Sequence, residues 1–359
     1  MARLNAAASP AQALESGYYV KPPAELSIAH ELASRLELQP ASTHLIVGGV
    51  GSGKTTEMLA ACQRLAEDPE IAAIYVDVSE DLELDLFSSG TFLAALIHGL
   101  AAHLDRHRGP AAVEAAMRYY EDWATLIESH EEHDIDVYQD LVSGFTSVGR
   151  TPVLFMDSLD RLTDPQKLEA ALKTYANVVR TSGMGLVLTG SVRLRHGLDR
   201  SLRDFFDQLY NNPYVDTNVK RGLDFLGAVL RARAPVSLIP QDCAIRLARL
   251  SGGVLRDLLT LAQAAVNETY IRGGEQVTTT HIEIAADGFG RKQLLGLDSD
   301  EIATLQRVRT KGTFVQTSNK DLALLLTRHV LEHQDANGKT IYSVHPTLEP
   351  LLAQIAGAA

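Results

Sequence analysis

The sequence has few of the features that mark secreted or membrane-bound proteins. Only two of its 359 residues are cysteines, Cys62 and Cys243. Each falls in a segment with the pattern of an amphipathic helix, which argues against a disulfide framework or a cysteine-based zinc site. No apolar run is long enough to span a bilayer, and residues 1–17 lack the apolar core of a secretory signal. These absences predict a cytoplasmic protein with no membrane partner.

Basic residues are also scarce. Lys and Arg number 33 against 45 Asp and Glu, which gives a formal net charge of −12 and a pI near 5.5. A protein that holds nucleic acid through a broad basic surface has the opposite balance. The local exception is RLRHGLDRSLR at residues 193–203, here called the basic cluster. The overall charge therefore disfavours DNA as a partner, but the basic cluster could still bind it locally.

Glycine, in contrast, is concentrated in GGVGSGKT, residues 48–55. This segment fits G-x-x-x-x-G-K-[ST], follows an apolar run typical of a buried strand, and precedes a segment with helical apolar spacing. Its glycines allow backbone N–H groups to turn toward phosphate oxygens, and the helix N-terminus favours anions. We expect Lys54 to reach the β- and γ-phosphates of a bound nucleotide and Thr55 to bind Mg²⁺. The predicted nucleotide-binding residues here are Gly49, Val50, Gly51, Ser52, Gly53, Lys54, Thr55 and Thr56.

A later apolar run, TPVLFMDSLD at residues 151–160, ends in acidic residues. A phosphate-binding loop requires an acid at the end of a neighbouring strand to orient Mg²⁺, and Asp157 is the candidate. Ser158 follows it, where a fast ATPase would have a glutamate. Asp160 could activate water instead, or it could be an ordinary loop or helix-capping acid. The predicted metal ligands are thus Thr55 and Asp157.

Buried strands alternate with helical segments up to residue 212, whereas helices alone follow Pro213. The alternation predicts an α/β fold in which helices cover both faces of a parallel sheet. Near the end, an Asn337-Gly338 pair between apolar runs predicts a hairpin. These patterns divide the chain into an N-terminal segment and helix (1–40), a P-loop core (41–212) with a helical insertion (about 105–148), a helical lid (213–292) and a C-terminal domain (293–359).

With these motifs in place, the chain resembles the AAA+ and STAND branch of P-loop ATPases. Its layout is most similar to bacterial proteins that join an origin-recognition-like core to a C-terminal winged-helix domain. The resemblance covers residues 19–290, and the remainder more loosely. It rests on GGVGSGKTT as Walker A, VLFMDSLDRL as Walker B, VLTGS as the sensor 1 strand, LSGGVLRDLLTLA as the sensor 2 helix, and YYVKPPAELSIAHEL at the adenine-contacting segment.

The resemblance implies roles for further residues. Thr189 or Ser191 would contact the γ-phosphate or attacking water, and Arg256 would reach the γ-phosphate from the lid. Tyr19 and Val20 would contact adenine. In a homo-oligomer, Arg200 and Arg203 are the candidates to complete a neighbouring subunit's site, ahead of Arg193 and Arg195; a solvated helix face is the alternative.

The function implied is an ATP-binding switch that hydrolyses ATP to ADP and phosphate slowly, changes its lid angle and assembly with the nucleotide, and acts on protein partners. A DNA-binding ATPase is the alternative, although residues 298–359 hold six Lys and Arg against seven Asp and Glu. A GTPase is disfavoured because D-x-x-G and a correctly spaced N-K-x-D are missing. A metal hydrolase that uses HEEHD (130–134) is disfavoured because its histidines do not have the HExxH spacing.

Overall fold

The computed structural model describes residues 4, 10–23, 27–81, 84–108, 131–197, 204–335 and 338–358. The chain forms two compact units. The sheet unit comprises Ile28–Val47 and Lys54–Asn211. The C-terminal unit comprises Met1–Ser27, Gly48–Gly53 and Asn212–Ala359, so the glycine-rich segment groups with the C-terminal residues.

A five-stranded parallel sheet forms the centre of the sheet unit. Its strands have the order β2-β3-β4-β1-β5. The register pairs Ile71 with Thr151 and Asp77 with Asp157, so β2 and β3 end at the same level. The strands are β1 (Thr43–Gly48), β2 (Ile71–Asp77), β3 (Thr151–Asp157), β4 (Gly185–Ser191) and β5 (Gln208–Asn212).

Strand β5 is the one that the sequence pattern does not predict, because QLYNN is mostly polar. Long-range hydrogen bonds place it beside β1. The backbone N–H of Thr43 donates to Asp207 Oδ2 at 2.8 Å, and the backbone N–H of Asp207 donates to the carbonyl of Thr43 at 2.9 Å. This edge strand is therefore determined by its partner rather than by local apolar content.

Helices pack on both faces of the sheet, as the alternation of strands and helices predicts. Val153 and Phe155 of β3 share a core with α2 and α3. Between them, Leu154 points to the opposite face, where Gly99 of α5 comes close to it and to Val76. The helices up to residue 197 are α1 (Pro10–Glu15, in the C-terminal unit), α2 (Ile28–Leu38), α3 (Lys54–Leu65), α4 (Val78–Asp81), α5 (Ser89–Arg108), α6 (Glu131–Thr146), α7 (Pro165–Ser182) and α8 (Val192–Gly197).

The predicted insertion at about 105–148 includes residues 109–130, which lie outside the described residues. Its described parts are the end of α5 and helix α6. These two helices pack against each other, and α6 also contacts β3. Among the described residues, no helix combines the length and apolar character needed to cross a bilayer.

Four helices with one shared core form the first part of the C-terminal unit. The core includes Leu226, Leu247, Leu261 and Ile282, one from each helix, and all four are fully buried. The helices are α9 (Lys220–Arg231), α10 (Gln241–Leu250), α11 (Leu255–Ile271) and α12 (Thr279–Leu294). They agree with the sequence pattern, which predicts helices alone after Pro213.

The remainder of the C-terminal unit has two helices, an antiparallel hairpin and a final helix. These are α13 (Ser299–Lys311), α14 (Asn319–Leu326), β6 (Val330–Gln334), β7 (Thr340–Val344) and α15 (Glu349–Ala358). The hairpin pairs Val330 with Val344 and Gln334 with Thr340. The predicted hairpin is thus present, although Asn337 itself lies outside the described residues. We refer to residues 299–358 as the winged-helix-like segment.

Candidate nucleotide-binding site

The glycine-rich segment is the loop between β1 and α3. Helix α3 begins at Lys54, directly after the loop, so the helix N-terminus faces the place where an anion would bind. Gly51 and Gly53 have φ angles of +81° and +98°, a region that residues with a Cβ rarely adopt. The loop conformation therefore depends on glycine at these two positions. We call residues 48–53 the phosphate loop.

Three residues of the C-terminal unit form hydrogen bonds with the phosphate loop. The backbone N–H of Leu255 donates to the carbonyl of Gly51 at 3.1 Å. The hydroxyl of Tyr214 donates to the carbonyl of Val50 at 3.3 Å. Asn212 Nδ2 donates to the carbonyl and to the Oγ of Ser52 at 3.3 and 3.2 Å. In all of these bonds an oxygen of the loop is the acceptor, whereas a phosphate would accept hydrogen bonds from backbone N–H groups.

Close packing accompanies these hydrogen bonds. A Cβ at Gly49 would lie 2.0 Å from the Tyr214 hydroxyl, and a Cβ at Gly51 would lie 2.8 Å from the Cβ of Arg256. The two glycines therefore make room for side chains that come from far along the sequence. This packing brings the predicted sensor 2 residue, Arg256, next to the phosphate loop.

The first turn of α11, which carries Arg256, is held by a buried ion pair. Asp257 is 1% exposed, and Arg328 donates to both of its carboxylate oxygens, at 2.8 and 3.1 Å. Nε2 of the buried His345 lies 3.5 Å from Asp257 Oδ2. Burial would raise the pKa of Asp257, but the neighbouring His345 and Arg328 outweigh it, so the pKa lies below its usual value. The helix turn beside the loop is therefore tied to the winged-helix-like segment.

The predicted adenine-contacting segment packs against the helices of the C-terminal unit. Val20 is half-buried on their shared core. Arg233 donates to the carbonyl of Tyr18 at 2.9 Å, and its guanidinium lies 5.7 Å from the centre of the Tyr18 ring. The backbone N–H of Tyr19 donates to the carbonyl of Ala13 at 3.0 Å. Adenine contact by Tyr19 and Val20 stays a prediction.

In the sheet unit, Lys54 forms an ion pair with Asp160. The distance from Lys54 Nζ to Asp160 Oδ2 is 2.9 Å, and the two side chains are 5% and 17% exposed. Asp160 lies in a 3₁₀ turn, Leu159–Arg161, that directly follows β3. The carboxylate named as a candidate for activating water is thus in contact with the lysine named for binding phosphate. Thr55 and Thr56 follow Lys54 in the first turn of α3 and are half-buried.

Asp157 is the centre of a polar cluster at the carboxyl ends of three neighbouring strands. It is 1% exposed. Thr189 at the end of β4 donates to Oδ1 at 2.8 Å, and Tyr75 of β2 donates to Oδ2 at 3.0 Å. The resemblance implies that Thr189 contacts phosphate or water, and this role stays a prediction. In the structure, the Thr189 hydroxyl is bonded to Asp157. Burial first, and then the charge of Asp157, raises the pKa of Tyr75 well above its usual value.

Sequence reasoning missed Tyr75, Asn212 and Tyr214. Tyr75 is the one polar-tipped residue before the terminal acid in the otherwise apolar strand IAAIYVD, and this is a signal that could have singled it out. Asn212 and Tyr214 flank Pro213, at the change from alternating strands and helices to helices alone. Nothing in the local pattern links them to a loop more than 150 residues earlier.

Ser158, which takes the position of the expected glutamate, has an unusual backbone. Its φ is 67°, in the left-handed region, although it is not a glycine. The residue is buried, and its Oγ accepts a hydrogen bond from Ser79 Oγ at 3.2 Å. Arg161 also donates to Ser79 Oγ, at 3.1 Å. A left-handed conformation at a residue with a Cβ costs roughly 1–2 kcal/mol and is typical of functional sites.

The donor set of the sheet unit fits a Mg²⁺ ion. Asp157 supplies a carboxylate and Thr55 a hydroxyl, the hard oxygen ligands that Mg²⁺ prefers. The hydrogen-bond partners that the described residues supply to Asp157 are neutral hydroxyls, so its buried charge has no cation among them. Burying a carboxylate without a positive partner is costly, and a divalent cation would offset that cost.

Other candidate residues are located less completely. Arg193 donates to the carbonyl of Thr163 at 2.9 Å, and its backbone N–H donates to the buried Ser191 at 3.3 Å. Arg200 and Arg203 lie outside the described residues, and the structure describes nothing of the Arg195 side chain.

In the HEEHD segment, His130 also lies outside the described residues. In the part of the chain that the structure describes, no group of three His, Cys, Asp or Glu side chains is placed to hold a metal ion.

No protein-family model matches the sequence, and comparison with curated proteins finds no match. Among solved structures, the chain is similar to Cdc6p from Pyrobaculum aerophilum, with a TM-score of 0.52 and 15% identity over 96% of this chain and 97% of that one. It is also similar to the Orc1 protein of Aeropyrum pernix in complex with DNA, with a TM-score of 0.53 and 16% identity over 98% of each chain. At these identities the similarity establishes the fold alone, which is a five-stranded parallel sheet with helices around it followed by a helical C-terminal part. The predicted fold class is confirmed.

Proposed function

We propose that this chain is a Mg²⁺-dependent ATPase of low turnover that works as a nucleotide-controlled switch on protein partners. The observation that carries the proposal is the complete phosphate-loop motif, which joins β1 to α3 and places Lys54 at the start of the helix. The fold shared with AAA+ P-loop ATPases supports this interpretation.

In the proposed ATP complex, backbone N–H groups of the phosphate loop and the N-terminus of α3 bind the phosphates. Lys54 exchanges its contact with Asp160 for the β- and γ-phosphates. Thr55 and Asp157 would hold Mg²⁺, whose charge would neutralise that of the phosphate oxygens. Release of Asp160 from Lys54 would then free a carboxylate close to the phosphates, where it can orient water.

Slow hydrolysis follows from the residues around Asp157. Ser158 has no carboxylate that could accept a proton from water, and its buried hydroxyl is bonded to Ser79. Asp160 is the acid that the sequence offers for this role, but it must first give up its ion pair with Lys54. An enzyme with a preformed general base needs no such rearrangement. We therefore propose that the chain holds ATP for longer than a fast ATPase does.

The switch is based on the contacts between the phosphate loop and the C-terminal unit. ATP and ADP differ in the γ-phosphate, and a ligand shifts an equilibrium only through different contacts in the two states. Arg256, beside Gly51, is the residue proposed to make that difference. Its neighbour Asp257 is bonded to Arg328, and the backbone N–H of Tyr214 donates to the carbonyl of Glu332 in β6 at 3.1 Å. A change at the loop would thus reach the hairpin through two routes.

Replacement of Lys54 tests the proposed function directly. Lys54→Ala removes a charge-assisted contact worth about 1.5–3 kcal/mol, so ATP affinity should fall roughly ten- to a hundredfold. Isothermal titration with Mg²⁺ and a non-hydrolysable ATP analogue measures this. Lys173→Ala is the matched control, because Lys173 lies on the exposed side of α7, where it pairs with Glu169. Equal affinities for Lys54→Ala and the control would refute the proposal.

A DNA-binding ATPase is the second candidate, because the similar Orc1 structure was solved in complex with DNA. The charges of the winged-helix-like segment do not favour it. Lys320 on α14 is paired with Asp298, and Arg328 is bonded to the buried Asp257. Two of the six basic side chains in residues 298–359 are thus engaged with acids of the chain itself. Phosphate contacts need free positive charge.

Sedimentation with ADP, an ATP analogue and duplex DNA in turn separates the two candidates. The switch proposal predicts that the assembly state differs between ADP and the ATP analogue, and that it does not change with DNA. Co-sedimentation with DNA that weakens with salt, and is lost on replacing Arg193, Arg195 and Arg200 by alanine, would instead establish the DNA-binding candidate. Arg203→Ala, together with Arg200→Ala, tests whether these arginines support assembly.

A further inference from the structure

Tyr75 contacts Asp157, which is 1% exposed, through its hydroxyl. The ring belongs to β2 and packs, half-buried, on the core that β3 and α3 share. The register pairs Asp77 with Asp157, so Tyr75 lies two residues before the end of the neighbouring strand and on the same face as Asp157. Its hydroxyl donates to Asp157 Oδ2 at 3.0 Å.

The two oxygens of Asp157 therefore have separate donors on separate strands. Thr189 of β4 holds Oδ1, and Tyr75 of β2 holds Oδ2. Two hydrogen bonds from opposite sides fix the rotation of a carboxylate that one bond would leave free. An ionised carboxylate has about four lone-pair sites, so these bonds still leave sites for a metal ion or its bound water.

We propose that Tyr75 is a positioning residue for Mg²⁺: its hydroxyl fixes the Asp157 carboxylate in the orientation that receives the ion. This inference rests on the proposed function, since it concerns the metal of the ATP complex. Partners that orient a metal-binding side chain commonly change metal affinity by about 10–100-fold when they are removed. Tyr75 acts on the ion through Asp157 and does not itself contact the nucleotide.

The test is the Mg²⁺ dependence of nucleotide binding by Tyr75→Phe, which keeps the ring and removes the hydroxyl. The affinity for a fluorescent ATP analogue is measured across a Mg²⁺ titration and also in EDTA. We expect the half-saturating Mg²⁺ concentration to rise roughly tenfold, while affinity in EDTA changes less than about twofold. Tyr138→Phe is the matched control, because that buried hydroxyl is bonded to Ser182 at 2.8 Å, away from Asp157.

A double-mutant cycle separates positioning from a general effect on the fold. In an Asp157→Asn background, Tyr75→Phe should raise the Mg²⁺ requirement no further, because both changes act on one carboxylate. Additive effects would overturn the inference, as would a Mg²⁺ titration of Tyr75→Phe that superimposes on that of the wild type.

These outcomes are distinct from failure of the proposed function. If the wild-type chain binds no ATP analogue, or if Lys54→Ala binds it as well as the wild type, the ATPase proposal is wrong. If binding depends on Lys54 and on Mg²⁺ but not on the Tyr75 hydroxyl, only the inference about Tyr75 is wrong. Thr189→Val removes the other hydroxyl that donates to Asp157. We expect this substitution, too, to raise the half-saturating Mg²⁺ concentration.

Discussion

The Asp157 cluster and the phosphate loop both carry residues on which the proposed function depends, but they are assembled in different ways. Asp157, Tyr75 and Thr189 lie on adjacent parallel strands, and the register brings them together at the carboxyl edge of the sheet. The phosphate loop is instead contacted by Tyr214 and Leu255, which follow it by more than 150 residues and belong to the C-terminal unit.

The difference suggests a division of labour. Hydrogen bonds between neighbouring strands are rigid, and they suit a metal ligand whose orientation must not change. Contacts from residues far along the sequence can rearrange when the ligand changes. Such contacts are suited to distinguishing ATP from ADP, which lacks the γ-phosphate. We therefore expect substitutions in the Asp157 cluster to change metal affinity, and substitutions near the loop to change the response to ATP against ADP.

The largest effect should follow from Arg328→Ala, which acts on the loop side of this comparison. It leaves the buried Asp257 without its two hydrogen bonds from Arg328, and breaking a buried pair in this way costs about 3–5 kcal/mol. Urea denaturation should show this loss, and hydrogen exchange should accelerate in α11 and the hairpin before β2 and β3. For the exposed pair of Arg246 and Glu283, Arg246→Ala should cost less than about 1 kcal/mol.

Equal losses for the two arginine variants would contradict the importance of the Asp257 pair. Uniform acceleration of exchange across the sheet would instead contradict the separation of the two regions. The first result would mean that the first turn of α11 is not held by Arg328.

An intermediate effect should come from acid, acting through His44 on the sheet side. Burial, opposed by the charge of Asp207 and assisted by that of Arg35, lowers the pKa of His44 to about 4. Above pH 6.5 the residue is neutral in both the folded and the unfolded states, so it adds no pH dependence. Between pH 6.5 and 4 the unfolded chain binds a proton that the folded chain does not. The free energy of unfolding should therefore fall by about 3 kcal/mol as the pH falls through this range.

Urea titrations of the wild type and His44→Gln at several pH values measure this contribution. Burial also lowers the pKa of both His329 and His333 in the C-terminal unit, so these histidines add a pH dependence of their own. The quantity that isolates His44 is thus the difference between the two pH profiles. A difference that does not change with pH would show that His44 carries the same charge in both states.

The smallest effect should come from Tyr214→Phe, which removes the hydrogen bond to the carbonyl of Val50 and keeps the ring. We expect a loss of about 1 kcal/mol in unfolding free energy and faster hydrogen exchange in residues 48–53. The ratio of ATP to ADP affinity should change more than the Mg²⁺ requirement does. Tyr210→Phe is the control. The Tyr210 hydroxyl, in β5, lies 3.4 Å from Nδ1 of His44 in β1 and not on the loop. If Tyr214→Phe changed the Mg²⁺ requirement but not the ratio of ATP to ADP affinity, the proposed division between the Asp157 cluster and the phosphate loop would be wrong.

Much of this organisation can be predicted from local patterns. The glycine spacing predicts the phosphate loop, Asp164 and Pro165 mark the start of α7, and the four helices after Pro213 follow from their periodicity. Strand β5 could not be predicted in this way, because its polar residues are accommodated at the sheet edge by bonds between Thr43 and Asp207. The partner of Thr189 could not be predicted either, since a hydroxyl at a strand end gives no indication of whether it will bond to an acid or to a ligand.

Local sequence patterns indicate the class of chemistry that we propose, because a loop rich in glycine, a lysine at the start of a helix and an acid after an apolar strand are each encoded by neighbouring residues. Which other side chains contact those residues depends on how distant elements pack. The order and register of the strands place Tyr75 and Thr189 on Asp157, and the packing of the C-terminal unit places Tyr214 and Arg256 on the loop. Local free energies select backbone conformation and burial, whereas pairing between distant residues depends on how whole elements pack.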